Sequence, residues 1–415
     1  MSYSWKRNLF ILWIGSFLIS AAYSVSIPFM SIFLQDDLGV SDHLEAWTGT
    51  IFAVAFLTSA LIAPFWGSIA DKYGRKLMML RAGFCLSITY FLYFIVQNPY
   101  ELFFLRILEG LLAGYIPSAI ALIATNTPEK HVGYALGIIS TSTAASSIVG
   151  PLIGGVVSHW IGPRDTFMVS SIMAFIAFLI ALFWVKEPHF KKSSAKRSSV
   201  ISDLKEAASN QNLILILFLV FLTSTSIMIL EPLLTIYVLQ LGSSQSSASL
   251  NSGIIFSAVG VATLIAAPFW GKFGNKIGDG KVLFIGLLGG GIGNLLQIIF
   301  SNLIGFGIIR FVYGLFFAAV FPALNASIVR NTDPGFRGRA FSLNQMANQL
   351  GLMLGPVIGG FLATHLSIPI VFLINGILLL IVAILLKTPK FSFYKSSNSM
   401  EMDKQNVGVN KIRQN

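Results

Sequence analysis

The pentapeptide Ala-Pro-Phe-Trp-Gly occupies residues 63–67 and recurs unchanged at residues 267–271. Aligning Pro64 with Pro268 sets an offset of 204 residues, and further identical residues then face each other. The pairs at this offset, or one residue beyond it, are Pro28 with Pro232, Arg106 with Arg310, Gly110 with Gly314, and GPLIGG at 150–155 with GPVIGG at 355–360. The chain is therefore predicted to consist of two similar halves in tandem.

The composition predicts an integral membrane protein. Hydrophobic residues make up 55% of the 415 residues and charged residues only 11%, with a mean hydropathy of +0.76. A soluble domain carries about 25% charged residues. Many apolar stretches reach the length of about 20 residues that a helix needs to cross a bilayer. Backbone groups in lipid must be satisfied within the segment, so these stretches are predicted as helices and the fold class as all-α.

Twelve spanning helices are predicted, six in each half. They cover approximately residues 8–34, 46–70, 78–97, 101–124, 133–158, 166–186, 212–239, 249–271, 282–300, 303–329, 339–364 and 368–387. The first bundle is predicted over residues 1–186 and the second over 212–387. A basic, serine-containing linker at 187–211 separates them, and a polar tail is predicted at 388–415.

The distribution of charge predicts the orientation. Lysine and arginine, among them Arg81, are assigned to one side of the membrane and to both termini, whereas the opposite side has Arg164 as its basic residue and an acidic first loop. Cytoplasmic loops carry the excess of basic residues, so both termini are predicted to be cytoplasmic. The net charge of +11 then reflects topology. We expect a lipid bilayer around the protein, no nucleic-acid partner and no obligate protein partner.

Few residues favour a cofactor or an enzyme. Cys85 is the single cysteine, which excludes an internal disulfide and a cysteine-based metal site. The five histidines fall in or near predicted loops, and neither a phosphate-binding loop nor a set of nucleophile and base is present. We expect a non-enzymatic protein without a cofactor, whose energy source is an ion gradient.

Three motifs resemble those of a known family. They are Gly67 to Lys76 between the second and third spans, Arg106 to Gly110 in the fourth, and Gly137, Gly150, Pro151, Gly154 and Gly155 in the fifth. Together they resemble the major facilitator superfamily, in particular its bacterial twelve-span drug:proton antiporters, although Ser146 stands where a glycine is usual. The resemblance implies two six-helix bundles in the cytoplasmic membrane. It also implies proton-coupled export of small amphipathic, often cationic drugs by alternating access.

The resemblance implies a latch between the halves on the cytoplasmic side, formed by Gly67, Asp71, Gly74 and Arg75. A carboxylate at the C-terminal end of a helix is unfavourable by itself, so Asp71 calls for a cation or a helix N-terminus nearby. The second half has asparagine and aspartate at the positions that match Asp71 and Arg75, so the latch is predicted in one copy only. Alternatively, these charges only enforce topology, which accounts for Arg75 but not for Asp71.

Charged residues inside predicted spans are the candidates for proton coupling, because such residues are costly in a membrane and often functional. Arg106 and Glu109 are three residues apart and can pair on one helical face. The resemblance assigns proton coupling to Arg106, and a static ion pair is the alternative. Glu231 precedes Pro232 deep in the seventh span, where desolvation favours a protonated carboxyl. It is predicted as a proton carrier or a ligand for a cationic substrate; a permanently protonated Glu231, or one paired with Arg310, is the alternative.

A substrate pocket is also predicted. Glu231 and Arg310 would contribute charge, since Arg310 has a tyrosine where its counterpart has Glu109. The remaining predicted lining residues are Asn344, Asn348, Tyr115, Met228 and Phe33. Asn344 and Asn348 are four apart on one face, and the alternative is that they only join helices.

The glycines of the fifth span predict a gate. Gly137, Gly150, Pro151, Gly154 and Gly155 are expected to break and thin the helix, so that the two halves pack closely. An importer or metabolite symporter on the same fold remains the alternative function. A receptor or non-transporting scaffold is less favoured, because the buried charges would then have no task.

Overall fold

Twelve apolar helices long enough to span a membrane make up most of the protein. The computed structural model describes residues 5–188, 200–333 and 336–387, and the predicted tail lies outside them. The twelve spans are Trp5–Asp37, Leu44–Tyr73, Arg75–Ile95, Pro99–Asn126, Glu129–Trp160, Asp165–Trp184, Gln211–Gln240, Gln245–Ile277, Asp279–Leu296, Leu303–Arg330, Arg337–His365 and Ile368–Leu385. The predicted all-α fold class is confirmed, and we number these helices span one to span twelve.

Four spans are interrupted, at equivalent places in the two halves. Span one changes to a tight turn at Ile27–Phe29, and span seven does so at Glu231–Leu233. Each turn contains a proline, Pro28 or Pro232, which has no N–H for the helical hydrogen bond. Span four is divided into Pro99–Leu112 and Tyr115–Asn126, and span ten into Leu303–Phe317 and Val320–Arg330.

The linker contains a helix that the sequence prediction missed. Residues 200–208 are helical, and span seven follows at Gln211 with Asn210 as its N-cap. The Asn210 side chain accepts a hydrogen bond from the Leu213 amide, 3.1 Å away. The first part of the predicted linker, residues 189–199, lies outside the described residues.

Caps and turns also recur between the halves. Asn98 begins span four by accepting from the Glu101 amide, and Asn302 begins span ten by accepting from the Gly305 amide. An N-cap asparagine satisfies an amide that has no partner within its helix. Gly74 and Gly278 join spans two to three and eight to nine, with φ of 98° and 89°. Glycine is favoured there because other residues are strained at positive φ.

The packing of the helices follows a pseudo-twofold symmetry. In the first half, span one packs on spans five and six, span two on four, and span three on six. In the second half, span seven packs on eleven, span eight on ten, and span nine on twelve. The halves meet through two equivalent pairs, span two with span eleven and span five with span eight.

The apolar cores show at which end the halves are joined. One core runs through the first half and continues into the second at Ile229–Val238, Phe306 and Ile368–Phe372. A separate core occupies the opposite end of the second half, from Ala207 to Val220 and around Val282, Leu324 and Val382. The part of the core that the two halves share lies at the end of the bundle away from the termini. We call this the outer end. The end that bears the termini is called the inner end.

Candidate functional site

A buried ion pair occupies the first half. Arg106 is fully buried and Glu109 is 5% exposed. The Arg106 Nη1 atom donates to Glu109 Oε2, as the three-residue spacing predicts, and Nε donates to the carbonyl oxygen of Ile51 at 3.0 Å. The second contact ties span four to span two.

Two tyrosines of span three complete this cluster, and sequence analysis missed both. The Tyr93 hydroxyl donates to Glu109 Oε2 at 2.6 Å, and the Tyr90 hydroxyl donates to Oε1 at 3.2 Å. The Glu109 carboxylate thus accepts from three donors, an arrangement that stabilises a buried charge. Two tyrosines three residues apart in a span with a nearby buried carboxylate are the signal that could have revealed the cluster.

The equivalent cluster in the second half is incomplete. Arg310 occupies the position in span ten that matches Arg106 in span four. It is buried, and its guanidinium lies 5.2 Å from the centre of the Tyr313 ring. Its Nε atom is buried and has no hydrogen-bond partner among the described residues. Glu231 lies within electrostatic reach of Arg310, but no ion pair within 4 Å joins them in the described structure. The two residues are neighbours without a direct pair, in contrast to Arg106 and Glu109.

Glu231 lies at the meeting point of the two halves. It begins the interruption of span seven, and its side chain is half-buried. The interruption contacts spans two and eleven, which form one of the two interfaces between the halves. Beside it, the Thr235 hydroxyl donates to the carbonyl oxygen of Pro28 in span one. A partly accessible carboxylate in this position can exchange protons or meet a cation.

Tyr23 is a further residue that sequence analysis missed. It lies in span one, within electrostatic reach of Arg106, Glu109 and Glu231. Its hydroxyl oxygen is buried and makes no well-formed hydrogen bond to the described residues, although it lies near the Arg106 guanidinium and the residue as a whole is half-buried. Charged groups of both halves therefore converge on this side chain.

The structure does not assemble the predicted pocket as a whole. Tyr115 is 1% exposed, and its hydroxyl lies against Gly15 within the first half. Phe33 is fully buried against Phe167, and Met228 packs on Gly355. Phe33 and Tyr115 belong to the core that runs through the first half, and Met228 is 7% exposed, so the predicted place of these three residues in a pocket stays a prediction.

The two asparagines of span eleven join helices of the second half. Asn348 Oδ1 accepts from the Ser224 hydroxyl at 2.6 Å, which links spans eleven and seven. The Nδ2 atom of Asn344 donates to Oδ1 of Asn325 in span ten at 3.4 Å. The Oδ1 atom of Asn344 is buried and has no hydrogen-bond partner among the described residues. Asn348 thus fits the interhelical alternative, whereas Asn344 keeps an oxygen available for a ligand.

The Gly-Pro-x-x-Gly-Gly motif divides its contacts between the two halves. Gly150 and Gly154 pack on span one of their own half, whereas Pro151 and Gly155 contact Gly253 of span eight. A Cβ added at Gly150 or Gly154 would clash with the backbone or side chains of span one. The predicted packing between the halves therefore holds for Pro151 and Gly155 and is corrected for Gly150 and Gly154.

The second copy of the motif makes the same contacts. Gly355 and Gly359 pack on span seven, while Pro356 and Gly360 contact Gly49 and its neighbours in span two. Gly49 and Gly253 are themselves counterparts in the two halves. These contacts lie in the middle and outer parts of the bundle, where the Ser158 hydroxyl also donates to that of Ser249 at 2.7 Å.

Span five is not broken, contrary to the prediction. The helix is continuous from Glu129 to Trp160 with Pro151 inside it. One carbonyl in the turn before this proline, that of Ile148, accepts from the Ser257 hydroxyl of span eight at 2.7 Å. Neighbouring helices can satisfy backbone groups near a proline in this way. A Cβ at Gly137, nearer the inner end, would meet no atom within 4 Å, so this glycine makes no close packing contact.

The predicted latch is only partly visible. The side chain of Asp71 lies outside the described residues, and Gly67 and Gly74 stand in span two and at the turn that follows. The Glu187 carboxylate accepts from the backbone amides of Arg75 at 3.0 Å and Lys76 at 2.9 Å. A carboxylate at the start of a helix is favoured by the helix dipole, so Glu187 fixes span three to the end of span six.

The repeated pentapeptide places a tryptophan at the same hydrogen bond in each half. The Trp66 indole N–H donates to the carbonyl oxygen of Leu111 at 2.7 Å, and that of Trp270 donates to Leu315 at 2.7 Å. Each carbonyl comes just before the interruption of span four or span ten, where the helical hydrogen bond is lost. Arg81, one of the basic residues predicted on the inner side, lies within span three near its inner end. Its guanidinium stacks on the Trp66 ring, 3.5 Å from the ring centre.

An apolar cavity of about 350 Å³ lies between spans eight and ten. Its lining includes Ile254, Ile304 and Ile308, which are half or more exposed at the surface. No charged residue lines it. It is therefore separate from the charged residues between the halves.

Comparison with known sequences gives a consistent result. The sequence model of the family described as Major Facilitator Superfamily matches residues 12–252 and 216–401. The chain is 40% identical over 376 residues to the multidrug resistance protein MdtG of Proteus mirabilis, covering 89% of this chain and 92% of that protein. It is 37% identical over 382 residues to MdtG of an Escherichia coli strain, covering 90% and 92%.

Solved structures share the fold at low sequence identity. The nucleoside transporter NupG matches with a TM-score of 0.76 at 15% identity, covering 94% of this chain and 99% of that chain. A D-xylose-proton symporter matches with a TM-score of 0.75 at 16% identity, covering 93% and 98%. At these identities the likeness shows the fold alone.

Proposed function

The chain belongs to the Major Facilitator Superfamily, and on this premise we propose that it exports small amphipathic, often cationic drugs from a bacterial cell in exchange for protons. Its relatives over most of their length are named multidrug resistance proteins. We place both termini in the cytoplasm, because basic residues are concentrated on the inner end. The proton gradient is the proposed energy source, and no cofactor takes part.

Glu231 is the observation that carries this proposal. A carboxylate within a span is rare and usually belongs to an ion or proton pathway. Glu231 has no ion-pair partner within 4 Å among the described residues, and it is half-buried at the junction of the halves. It therefore suits the alternate binding of a proton and of a cationic drug, one replacing the other.

The packing of the halves supports alternating access. The shared core and the two glycine-proline contacts lie toward the outer end, whereas the second half has its own core at the inner end. We propose that this arrangement closes the outer side and that Glu231 is reached from the cytoplasm in this state. Rocking of two similar bundles about the midplane would reverse the access. The predicted latch at Asp71 would hold the inner end closed in that opposite state.

An importer or symporter is the second candidate function. The solved structures with the same fold include a nucleoside transporter and a proton symporter for D-xylose. Their identities of 15–16% are far below the 37–40% of the multidrug resistance proteins, so export is better supported.

Loss of the carboxylate tests the function directly. We expect cells that express the wild-type protein to export a fluorescent cationic dye, and a protonophore to stop this export. Glu231→Gln should abolish the export, whereas Asp42→Asn, which removes an exposed carboxylate at the outer end, should retain it. Dye export by Glu231→Gln at the wild-type rate would contradict the assignment, provided that both variants reach the membrane in equal amounts.

A further inference from the structure

Two buried polar atoms beside the Arg106–Glu109 pair have no hydrogen-bond partner among the described residues. They are Nη2 of Arg106 and the hydroxyl oxygen of Tyr23. A buried polar group without a partner destabilises a protein, so such atoms call for an explanation. The other two nitrogens of this guanidinium have partners in the first half. Nε donates to the Ile51 carbonyl, and Nη1 donates to the Glu109 carboxylate. The Nη2 atom can therefore donate to a group other than Ile51 or Glu109.

Tyr23 lies between this pair and Glu231 of the other half. It stands one helical turn before the Ile27–Phe29 interruption of span one. In that interruption the Pro28 carbonyl accepts from the hydroxyl of Thr235, in the short helix that follows the Glu231–Leu233 interruption of span seven. The side chain is within electrostatic reach of Arg106, Glu109 and Glu231. Among the described residues, the other titratable neighbours of Glu231 are Arg310 and Tyr313, both in its own half.

A tyrosine hydroxyl can accept one hydrogen bond while it donates another. It can therefore accept from Nη2 of Arg106 and donate to the Glu231 carboxylate, directly or through one water molecule. We propose that Tyr23 is a positioning residue that joins Glu231 to the Arg106–Glu109 pair and thereby couples the charge state of Glu231 in one half to the buried pair in the other. This inference rests on the proposed function, in which Glu231 exchanges the proton. The position that matches Tyr23 in the second half is Ile227, so the link is made once.

The test compares two transport modes of the protein in proteoliposomes, with a fluorescent cationic dye as the probe. One mode is accumulation of the dye driven by a proton gradient, and the other is downhill exchange of dye without a gradient. Tyr23→Phe removes only the hydroxyl, and we expect it to slow driven accumulation about tenfold, the effect of one hydrogen bond to a charged group. Downhill exchange should keep the wild-type rate, because it needs no change of charge at Glu231.

Tyr237→Phe is the matched control. Tyr237 is buried among Phe306 and Phe372 near the outer end, and its loss of a hydroxyl should change neither mode.

The outcomes separate this inference from the function on which it rests. Equal slowing of both modes by Tyr23→Phe would assign Tyr23 a merely structural role and overturn the inference. Driven accumulation at the wild-type rate in Tyr23→Phe would overturn it as well. If the wild-type protein itself shows no proton-driven accumulation, the proposed function fails, and the inference fails with it.

Discussion

At the scale of single residues, two arginines at matching positions have opposite surroundings. Arg106 has Glu109 one turn away and two tyrosines that complete the carboxylate's hydrogen bonds. Arg310 has Tyr313 at the matching position and no ion pair within 4 Å among the described residues. The first half thus holds a buried ion pair with its hydrogen bonds formed, and the second holds separated charges, which we propose are available to a substrate or a proton.

This contrast predicts different costs for the two arginines. Arg106→Met leaves Glu109 buried without its cation, which should lower the free energy of unfolding by about 3–5 kcal/mol. Arg310→Met removes a buried charge that has no direct partner, so its cost should be much smaller. Thermal unfolding of the purified variants in the same detergent measures the difference. Equal losses of stability would contradict the assignment of a fixed pair to one half only.

At the scale of helices, the tryptophan of each pentapeptide hydrogen-bonds to the interrupted helix of the same half: span two to span four, and span eight to span ten. The indoles of Trp66 and Trp270 bind carbonyls at the interruptions of spans four and ten. In span four the Ala113 carbonyl also lacks its helical donor, because Pro117 stands four residues later, and it accepts from Arg81 at 2.7 Å. Interrupted helices are tolerated in a membrane only where such partners are supplied.

Removing one indole donor should therefore weaken the bundle. Trp66→Phe leaves the Leu111 carbonyl without its partner, at a cost of about 1–3 kcal/mol. Trp160→Phe, at a tryptophan that is 78% exposed, serves as the control and should cost much less. The two variants are compared by thermal unfolding in detergent. Equal stability of Trp66→Phe and the wild-type protein would show that the carbonyl finds another donor.

The contacts between the halves depend on two glycines that sequence analysis did not single out. A Cβ at Gly253 would clash with the Pro151 carbonyl, and one at Gly49 would clash with that of Pro356. Gly253→Ala should therefore push spans five and eight apart and open the outer end. Gly271→Ala is the matched control, because a Cβ at that position in the same span meets no atom within 4 Å.

A cysteine reporter makes this opening measurable. Ser158 of span five is buried against Ser249 of span eight, and Cys85 is the only native cysteine. The reporter protein carries Cys85→Ser and Ser158→Cys, and an impermeant maleimide is added from outside. The introduced thiol should react faster when Gly253→Ala is also present than when it is not. The Gly271→Ala protein should react at the unchanged rate. Equally slow labelling of the Gly253→Ala and Gly271→Ala proteins would contradict this prediction, because it would show that spans five and eight accommodate the added methyl group without separating.

At the scale of the whole molecule, the sequence predicted architecture better than it predicted the site. The offset of 204 residues and the prolines at 28 and 232 predict the two halves and the interruptions of spans one and seven, because the repeat and the missing N–H are local features. The Arg106–Glu109 pair is predicted by helical spacing for the same reason. Tyr23, Tyr90 and Tyr93 escaped prediction because their roles depend on which spans become neighbours. A single sequence likewise does not show which face of a span meets the opposite half, so it gave no sign that Tyr115 lies in the core of the first half.

In the proposed function, a drug and a proton move in opposite directions through one protein. Everted membrane vesicles that contain the protein, energised by respiration, build an acid interior, and a fluorescent probe reports their pH. Because export from a cell is uptake into such vesicles, we expect an added cationic drug to enter and protons to leave, so that part of the pH gradient collapses. Glu231→Gln vesicles should keep the gradient when the drug is added. An unchanged gradient in wild-type vesicles, together with drug uptake by whole cells that express the protein, would contradict proton-coupled export.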